Sequence, residues 1–560
     1  MKYIIASEYG ICPSNEKGLA AKLSEFLNGL SEDSTVFLFP GRYYLEESIK
    51  ITGLKNVNIK AYGVTFVTHF NPTSKRDACK GGLFFENCED INIFGMKFDN
   101  DNPVNIYGRI TDINLENNTF DVRLEDGCNI RGDEYIMCLD TCDENRSPNF
   151  HIFFCDFEGY KYEKTNENTL RFYIWHTMAH HLKNASIGEL ILMKHSLYAG
   201  PPLKFNECRR VLIEDVTVLS TPGHCCGVYP RSEDFTFRRF NVRMPYGRKQ
   251  LCCSQTDGLH IDGLTGKLLL EDCHFEDMGD DALNIHNRAG TIFKMQDNIL
   301  LLGLRRPENS LDELPIELLS TKWAKKGDVV YVYDEITLEK KGEFTVVDFG
   351  VQDGFNYLCF EECTCELHRG MKLANSAYYA SVEIKNCSVI GSRARGFLIQ
   401  SENILIEDCK FDRISSASIL LACDVDYWNE MGPVNNVIIR NNLFEGCGTN
   451  YNDLCSGGIT INMNHRNIST EDSDKFNVHH NVTIKGNKFV NMKDSAIFAN
   501  AVTGISITGN EINNCATNRD NKLKDSGFDV VLFNCDEIEI DSNFSFYGKE
   551  VSINNKCFKT

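Results

Sequence analysis

Apolar and polar residues alternate along this chain in short runs that keep returning. Examples are Val57-Asn58-Ile59, Ile91-Asn92-Ile93, Val211-Leu212-Ile213, Val382-Glu383-Ile384, Ile404-Leu405-Ile406, Val437-Ile438-Ile439, Val482-Thr483-Ile484 and Ile505-Ser506-Ile507. A period of two marks a strand with one covered face. Four units can be laid over one another from the anchors Cys273-His274-Phe275, Cys387-Ser388-Val389, Cys409-Lys410-Phe411 and Asn487-Lys488-Phe489. Seven residues past each anchor stand Asp280, Ala394, Ser416 and Asp494, and ten past it Leu283, Phe397, Ile419 and Ile497. Units of 22 to 24 residues with several short strands and no helical period predict stacked coils about 4.8 Å apart. The expected fold is all-β, a right-handed parallel β-helix. Cys88, Cys208, Cys273, Cys387 and Cys409 read as core, because small thiols fill a stacked interior well.

The ladder breaks twice. From 101 to 192 the text turns to hairpin-like pieces such as Gly108-Arg109-Ile110-Thr111-Asp112-Ile113 and Thr119-Phe120-Asp121-Val122-Arg123-Leu124. From 289 to 372 it does so again, with Lys326-Gly327-Asp328-Val329-Val330-Tyr331-Val332 and Gly342-Glu343-Phe344-Thr345-Val346-Val347. Both stretches are expected to be small antiparallel β-barrel insertions, the second overhanging the acidic cluster described next. Coils then occupy 1–100, 193–288 and 373–560, and the amphipathic stretch from Asn15 to Leu30 caps the first of them.

Asp257-Gly258-Leu259-His260-Ile261-Asp262 is answered by Asp280-Asp281-Ala282-Leu283-Asn284-Ile285-His286. An offset of 24 residues lays Leu259 on Leu283, Ile261 on Ile285, His260 on Asn284 and Asp257 on Asp281. With the leucines and isoleucines inward, His260, Asp262, Asn284 and His286 face outward. The two aspartates would fall inward, at a prohibitive cost, unless the chain bends at Gly258 and the strand starts after them. Arg395 falls on the Asp281 column one coil later, with Arg393 two residues before it. A guanidinium there keeps one carboxylate ionised, while like-charge crowding pushes a proton onto another. That division suits an inverting glycosidase, with Asp280 as acid, Asp257 and Asp281 holding the water, and a gap of roughly 6.5–9.5 Å. Trp428, in the polar loop 424–433, is the candidate stacking platform, and Glu430 lies beside it. Lys194 with His195, and Trp175 with His176, are further candidates for the same cleft.

A composition of 42% hydrophobic and 11% aromatic residues in 560 suits a folded chain, and a solenoid can reach that length as one body. A formal net charge of −21 argues against a nucleic-acid partner. No apolar run has the length of a signal peptide or a membrane span, so the expected location is the cytosol, unless the N-terminus was processed. The 24 cysteines are then expected to be reduced, and neither Cys225-Cys226 nor Cys252-Cys253 forms a CxxC pair, so no metal and no cofactor is expected. Homo-oligomerisation is left open.

The Asp257-Gly258-Leu259-His260 element, the Asp280-Asp281 pair with Asn284 and His286, the Arg393-Ala394-Arg395-Gly396 element and the Tyr427-Trp428-Asn429-Glu430-Met431-Gly432-Pro433 loop resemble the bacterial α-1,3-galactosidases of glycoside hydrolase family 110. The likeness runs over most of the chain and both insertions. It implies release of a terminal α-1,3-linked galactose with inversion and without a metal, by the three aspartates, with the neighbouring residues binding sugar. The chain has Ala282-Leu283 where that family is expected to carry Pro and Val. A looser similarity to polygalacturonases rests on Gln255-Thr256-Asp257-Gly258 and Gly279-Asp280-Asp281, but their Gly-His-Gly and Arg-x-Lys elements have no counterpart. A non-catalytic, carbohydrate-holding β-helix is the expectation from a different class.

Overall fold

A computed structural model describes residues 2–75, 79–144, 146, 148–156, 158–176, 179–306, 308–450, 457–463, 478–517, 528–541, 550–553 and 556–559. Three long sheets of 13, 12 and 14 strands run side by side, and successive coils pair parallel within each. The chain is therefore a parallel β-helix. Leu259 pairs with Leu283, which pairs with Phe397, then Ile419, Ile459, Ile497 and Val530, so one buried column spans seven coils. On the second sheet Phe411, Phe444 and Phe489 stack with ring centroids 4.9 and 4.6 Å apart.

The corner between the first two sheets explains the anchors. Asp272, Asn386, Asp408 and Gly486 stand just before them, with φ of 56°, 51°, 56° and 65°. Asp and Asn tolerate this left-handed geometry better than most residues, and one such residue turns the chain from sheet to sheet. The next position satisfies the backbone of the coil before it. Cys273 N–H donates to Cys387 Sγ and Cys387 N–H to Cys409 Sγ, both at 3.4 Å. Cys409 N–H donates to Asn442 Oδ1, and the column continues as asparagines through Asn487 and Asn510. Helix Leu19–Asn28 buries Leu19, Ala20, Leu23 and Leu27 against the first coil and closes that end.

The insertions leave and rejoin without disturbing the register. Leu83 pairs with Leu203, and Leu268 with Val382, across roughly a hundred intervening residues each. The second insertion is a closed six-stranded barrel from Gly290–Gln296 to Lys372–Asn375, packed around the buried Trp323. The first is not the barrel expected from its hairpins. It is a seven-stranded antiparallel sheet with two unpaired edges, Pro148–Cys155 and Lys161–Asn166. Residues 130–136 lie against the second of these edges: Lys164 Nζ donates to Ile130 O, Tyr162 Oη to Glu134 O and Tyr160 N–H to Ile136 O.

Candidate active site

The strands Leu259–Asp262 and Leu283–Arg288 begin two residues after Asp257 and Asp281. Close packing makes glycine necessary at 258, where a Cβ would lie 2.5 Å from Ala282 O and 2.9 Å from the Phe275 ring. The two aspartates end up at the corner between the second and third sheets, buried at 5% and 1% exposure, on the floor of a pocket of about 860 Å³. One oxygen each from Asp257, Asp280 and Asp281 lies within 4.8 Å of the others.

Arg395 meets Asp281 twice, its N–H 2.9 Å from Oδ1 and its Nη2 2.8 Å from Oδ2. Arg393 Nη2 lies 3.3 Å from Asp280 Oδ2. Behind Arg393, the buried Asp140 of the first insertion sits 3.1 Å from Lys194 Nζ, and Lys194 also donates to Gly279 O at 3.0 Å. Burial works against the Lys194 charge, and Asp140 holds it protonated. Lys194 thus supports the loop that carries Asp280.

Burial pushes Asp257 up to about 7, opposed by His224 and Arg395, and pushes Asp281 upward against Arg395. Burial therefore favours the protonated form of these two carboxyls. Their closeness makes the proton a shared property of the pair. His260 Nδ1 lies 2.8 Å from Asp257 Oδ2, and His224 Nδ1 3.5 Å from the same oxygen. Burial drives both imidazoles down to about 4, so they are neutral. Their rings stack at 4.3 Å and 14°, so one ion could not lie in both ring planes, and the arrangement suits hydrogen bonding better than metal ligation.

Of the other expected residues, Asn284, Trp428, Glu430 and Lys194 line the pocket with His260, Arg393 and Arg395. Burial pushes Glu430 up to about 8 against Arg288. His286 points away from the solenoid interior as expected yet is fully buried, because Glu430–Met431 pairs antiparallel with Asn287 and Arg288 and covers it. Its Nδ1 lies 2.9 Å from Asn284 Oδ1, so it holds a wall residue from behind. His195 alternates away from Lys194 and pairs with Tyr135 O, outside the pocket lining. Trp175 is 61% exposed and donates to Asp156, and neither it nor His176 reaches the cleft.

The barrel does not overhang the acids. Among the described residues, none of 290–372 lines the pocket. Instead Arg305 N–H donates to Asn429 Oδ1 and Arg306 lies over the Tyr427 ring, so the barrel props the loop that presents Trp428. The facing wall comes from the first insertion through Cys138, Phe153, Cys155 and His181. His224, Tyr198 and Arg288 also line the pocket and were missed in the sequence. His224 could have been found by register, since Cys226 pairs with Leu259 at an offset of 33, which sets it on the Asp257 column.

Residues 369–545 match the family described as right handed beta helix region. An alpha-1,3-galactosidase B of Bacteroides thetaiotaomicron is 24% identical over 64% of this chain and 56% of its own length. An alpha-1,3-galactosidase B of Akkermansia muciniphila is 24% identical over 59% of this chain and 40% of its own. An alpha-1,3-galactosidase A of Bacteroides fragilis is 25% identical over 50% and 45%. The chain thus spans about half the length of the curated relatives it matches. A solved Yersinia enterocolitica family 28 exopolygalacturonase superposes at TM-score 0.42 with 9% identity, over 98% of this chain and 79% of its own, too distantly to bear on chemistry. The chain is a right-handed parallel β-helix protein similar in sequence to bacterial α-1,3-galactosidases.

Proposed function

We propose that this chain is an exo-acting glycoside hydrolase that releases terminal α-1,3-linked galactose, with inversion, through Asp280, Asp257 and Asp281. The observation that carries this reading is the convergence of the three carboxyls from adjacent coils on one open pocket. Its volume falls in the roughly 300–1,000 Å³ range of small-ligand sites. Asp280 is the most open of the three, its side chain 20% exposed against 7% and 1%, and therefore the one a leaving oxygen can reach. Asp257, steadied by His260 and His224, is placed to take a proton from water.

The cations of the pocket favour a neutral sugar over a uronide. Lys194 is committed to Asp140, Arg393 to Asp280, Arg395 to Asp281, and Arg288 stands 3.4 Å from Asp262. A substrate carboxylate would find each already paired. Comparing an α-1,3-galactobiose, a nitrophenyl α-galactoside and an oligogalacturonate tests this: galactose should appear from the first two and nothing from the third. Binding of the disaccharide without any release would support a carbohydrate-holding role instead.

Stereochemistry is read from the same reaction by proton NMR. The resemblance implies inversion, in which water attacks an α-galactoside from the face opposite the leaving group. β-Galactose is expected to appear first, and α-galactose appearing first would refute inversion.

The pH profile assigns the acid and the base. A carboxylate that takes a proton from water must be ionised, and burial sets Asp257 near 7, so kcat/KM is expected to rise with pH through about 7. A fall through the same range would make Asp257 the donor and give the water to Asp280. Trp428, 38% exposed at the pocket edge, should matter for binding more than for chemistry. Trp428→Ala is expected to raise KM about tenfold with little change in kcat, the size of one lost aromatic contact.

A further inference from the structure

We propose that Cys138 and Cys155 form an oxidant-reactive dithiol in the pocket wall, which takes a peroxide and closes to a disulfide that loosens the support of Asp280. The two residues pair directly across the Cys138–Cys142 and Pro148–Cys155 strands, and their sulfurs lie 3.3 Å apart. Asp156 N–H donates to Met137 O, which makes 138 and 155 a non-hydrogen-bonded pair, the closer of the two antiparallel pairings. Its spacing of about 4.5 Å between Cα atoms lies within the range a disulfide bridges. Both residues line the pocket, and Cys155 is exposed. No other described pair of cysteines places both members in that lining.

Reactivity follows from the surroundings. Contact with Cys138 lowers the Cys155 thiol below its usual value, with Arg393 and Lys194 adding to this, while burial drives Cys138 far upward. Cys155 is thus the nucleophile and Cys138 the resolving thiol. The Cys155 thiolate attacks one peroxide oxygen, the O–O bond breaks, and hydroxide leaves to become water. Cys138 then attacks the sulfenic sulfur, the S–S bond forms, the S–O bond breaks, and the second hydroxide departs with the Cys138 proton. Two thiols are oxidised and one peroxide becomes two waters.

Closure has a path to the acid. Drawing sulfurs from 3.3 Å to about 2.05 Å pulls the edge strand toward its neighbour. Phe153 lies two residues before Cys155 on the same strand face, with the Arg393 guanidinium 4.8 Å over its ring. Cys138 Sγ also contacts Asp140, which stands 3.8 Å from Arg393. Both supports of Arg393 move when the bridge forms, and Arg393 faces Asp280.

The experiment exposes the full chain to hydrogen peroxide, traps remaining thiols by alkylation and maps disulfides by peptide mass. Cys138–Cys155 is expected to form ahead of every other link among the 24 cysteines. Galactose release should fall about fivefold or more and return with dithiothreitol. In Cys138→Ser, which keeps the reactive thiol, Cys155 should instead accumulate as sulfenic and then sulfinic acid. Other cysteines oxidising first would overturn the proposal, and so would a bridge that leaves release unchanged. The mass map scores the dithiol by itself, so a chain inactive on every galactoside before oxidation fails the glycosidase reading and not this one.

Discussion

Asp280→Asn is expected to lower turnover on an α-1,3-galactoside by about a thousandfold while leaving the unfolding midpoint almost where it was. Positioned proton transfer contributes roughly 10²–10⁴ in rate, and an amide of the same shape can neither give nor take that proton. Stability should be spared because Asp280 is partly open, and a group held for chemistry contributes little to the fold. Asp257→Asn should behave alike, since burial already favours the neutral form that the amide imitates. Asp281→Asn should lose both activity and stability, because it removes the carboxylate oxygen that pairs with the Arg395 guanidinium. Steady-state kinetics and thermal melts on the three variants separate these outcomes, and full turnover in Asp280→Asn would refute its role as donor.

Arg395→Met should produce the largest loss of stability, about 3 kcal/mol. Asp281 is 1% exposed, and removing one member of a buried pair costs roughly 3–5 kcal/mol because the other charge is stranded. The lower end applies because Arg395 is itself 23% open. The deficit should depend on pH in a definite direction. Burial already raises the folded Asp281 carboxyl against Arg395, and without the guanidinium it binds its proton more tightly still. The folded state then holds more protons above the ordinary carboxylate range, so stability falls as pH rises. Urea midpoints for wild type and variant at pH 5 and pH 8 check this: the gap should widen at pH 8, and an equal gap at both would mean that Asp281 is not left charged.

The sequence made the coil register legible wherever coils were of equal length. Leu259 on Leu283 needed only a count of 24, and Arg395 fell on Asp281 because the barrel returns the chain to its column. His224 escaped because the coil before Asp257 is 33 residues long, lengthened by the 243–253 stretch, so the same count passes it by. Solvent access was harder to read than register. Alternation says which side of a strand a residue takes, but not what lies over it, and His286 is sealed by a two-residue strand from more than 140 positions later. The desolvation of the acids was hidden for a related reason. Crowding of charges can be guessed from spacing, whereas the desolvation that raises Asp257 and Asp281 depends on walls built by distant segments.

Because Leu203 sits on Leu83 and Val382 on Leu268, each insertion is spliced between rungs that would meet in the same way without it. The rungs fix where the acids stand, and the guest sheet and barrel fix what shape of molecule is admitted to them. The barrel, which reaches the loop presenting Trp428, can therefore diverge or be exchanged by an engineer, whereas the sheet, which also braces Asp280 through Arg393, has to keep that contact.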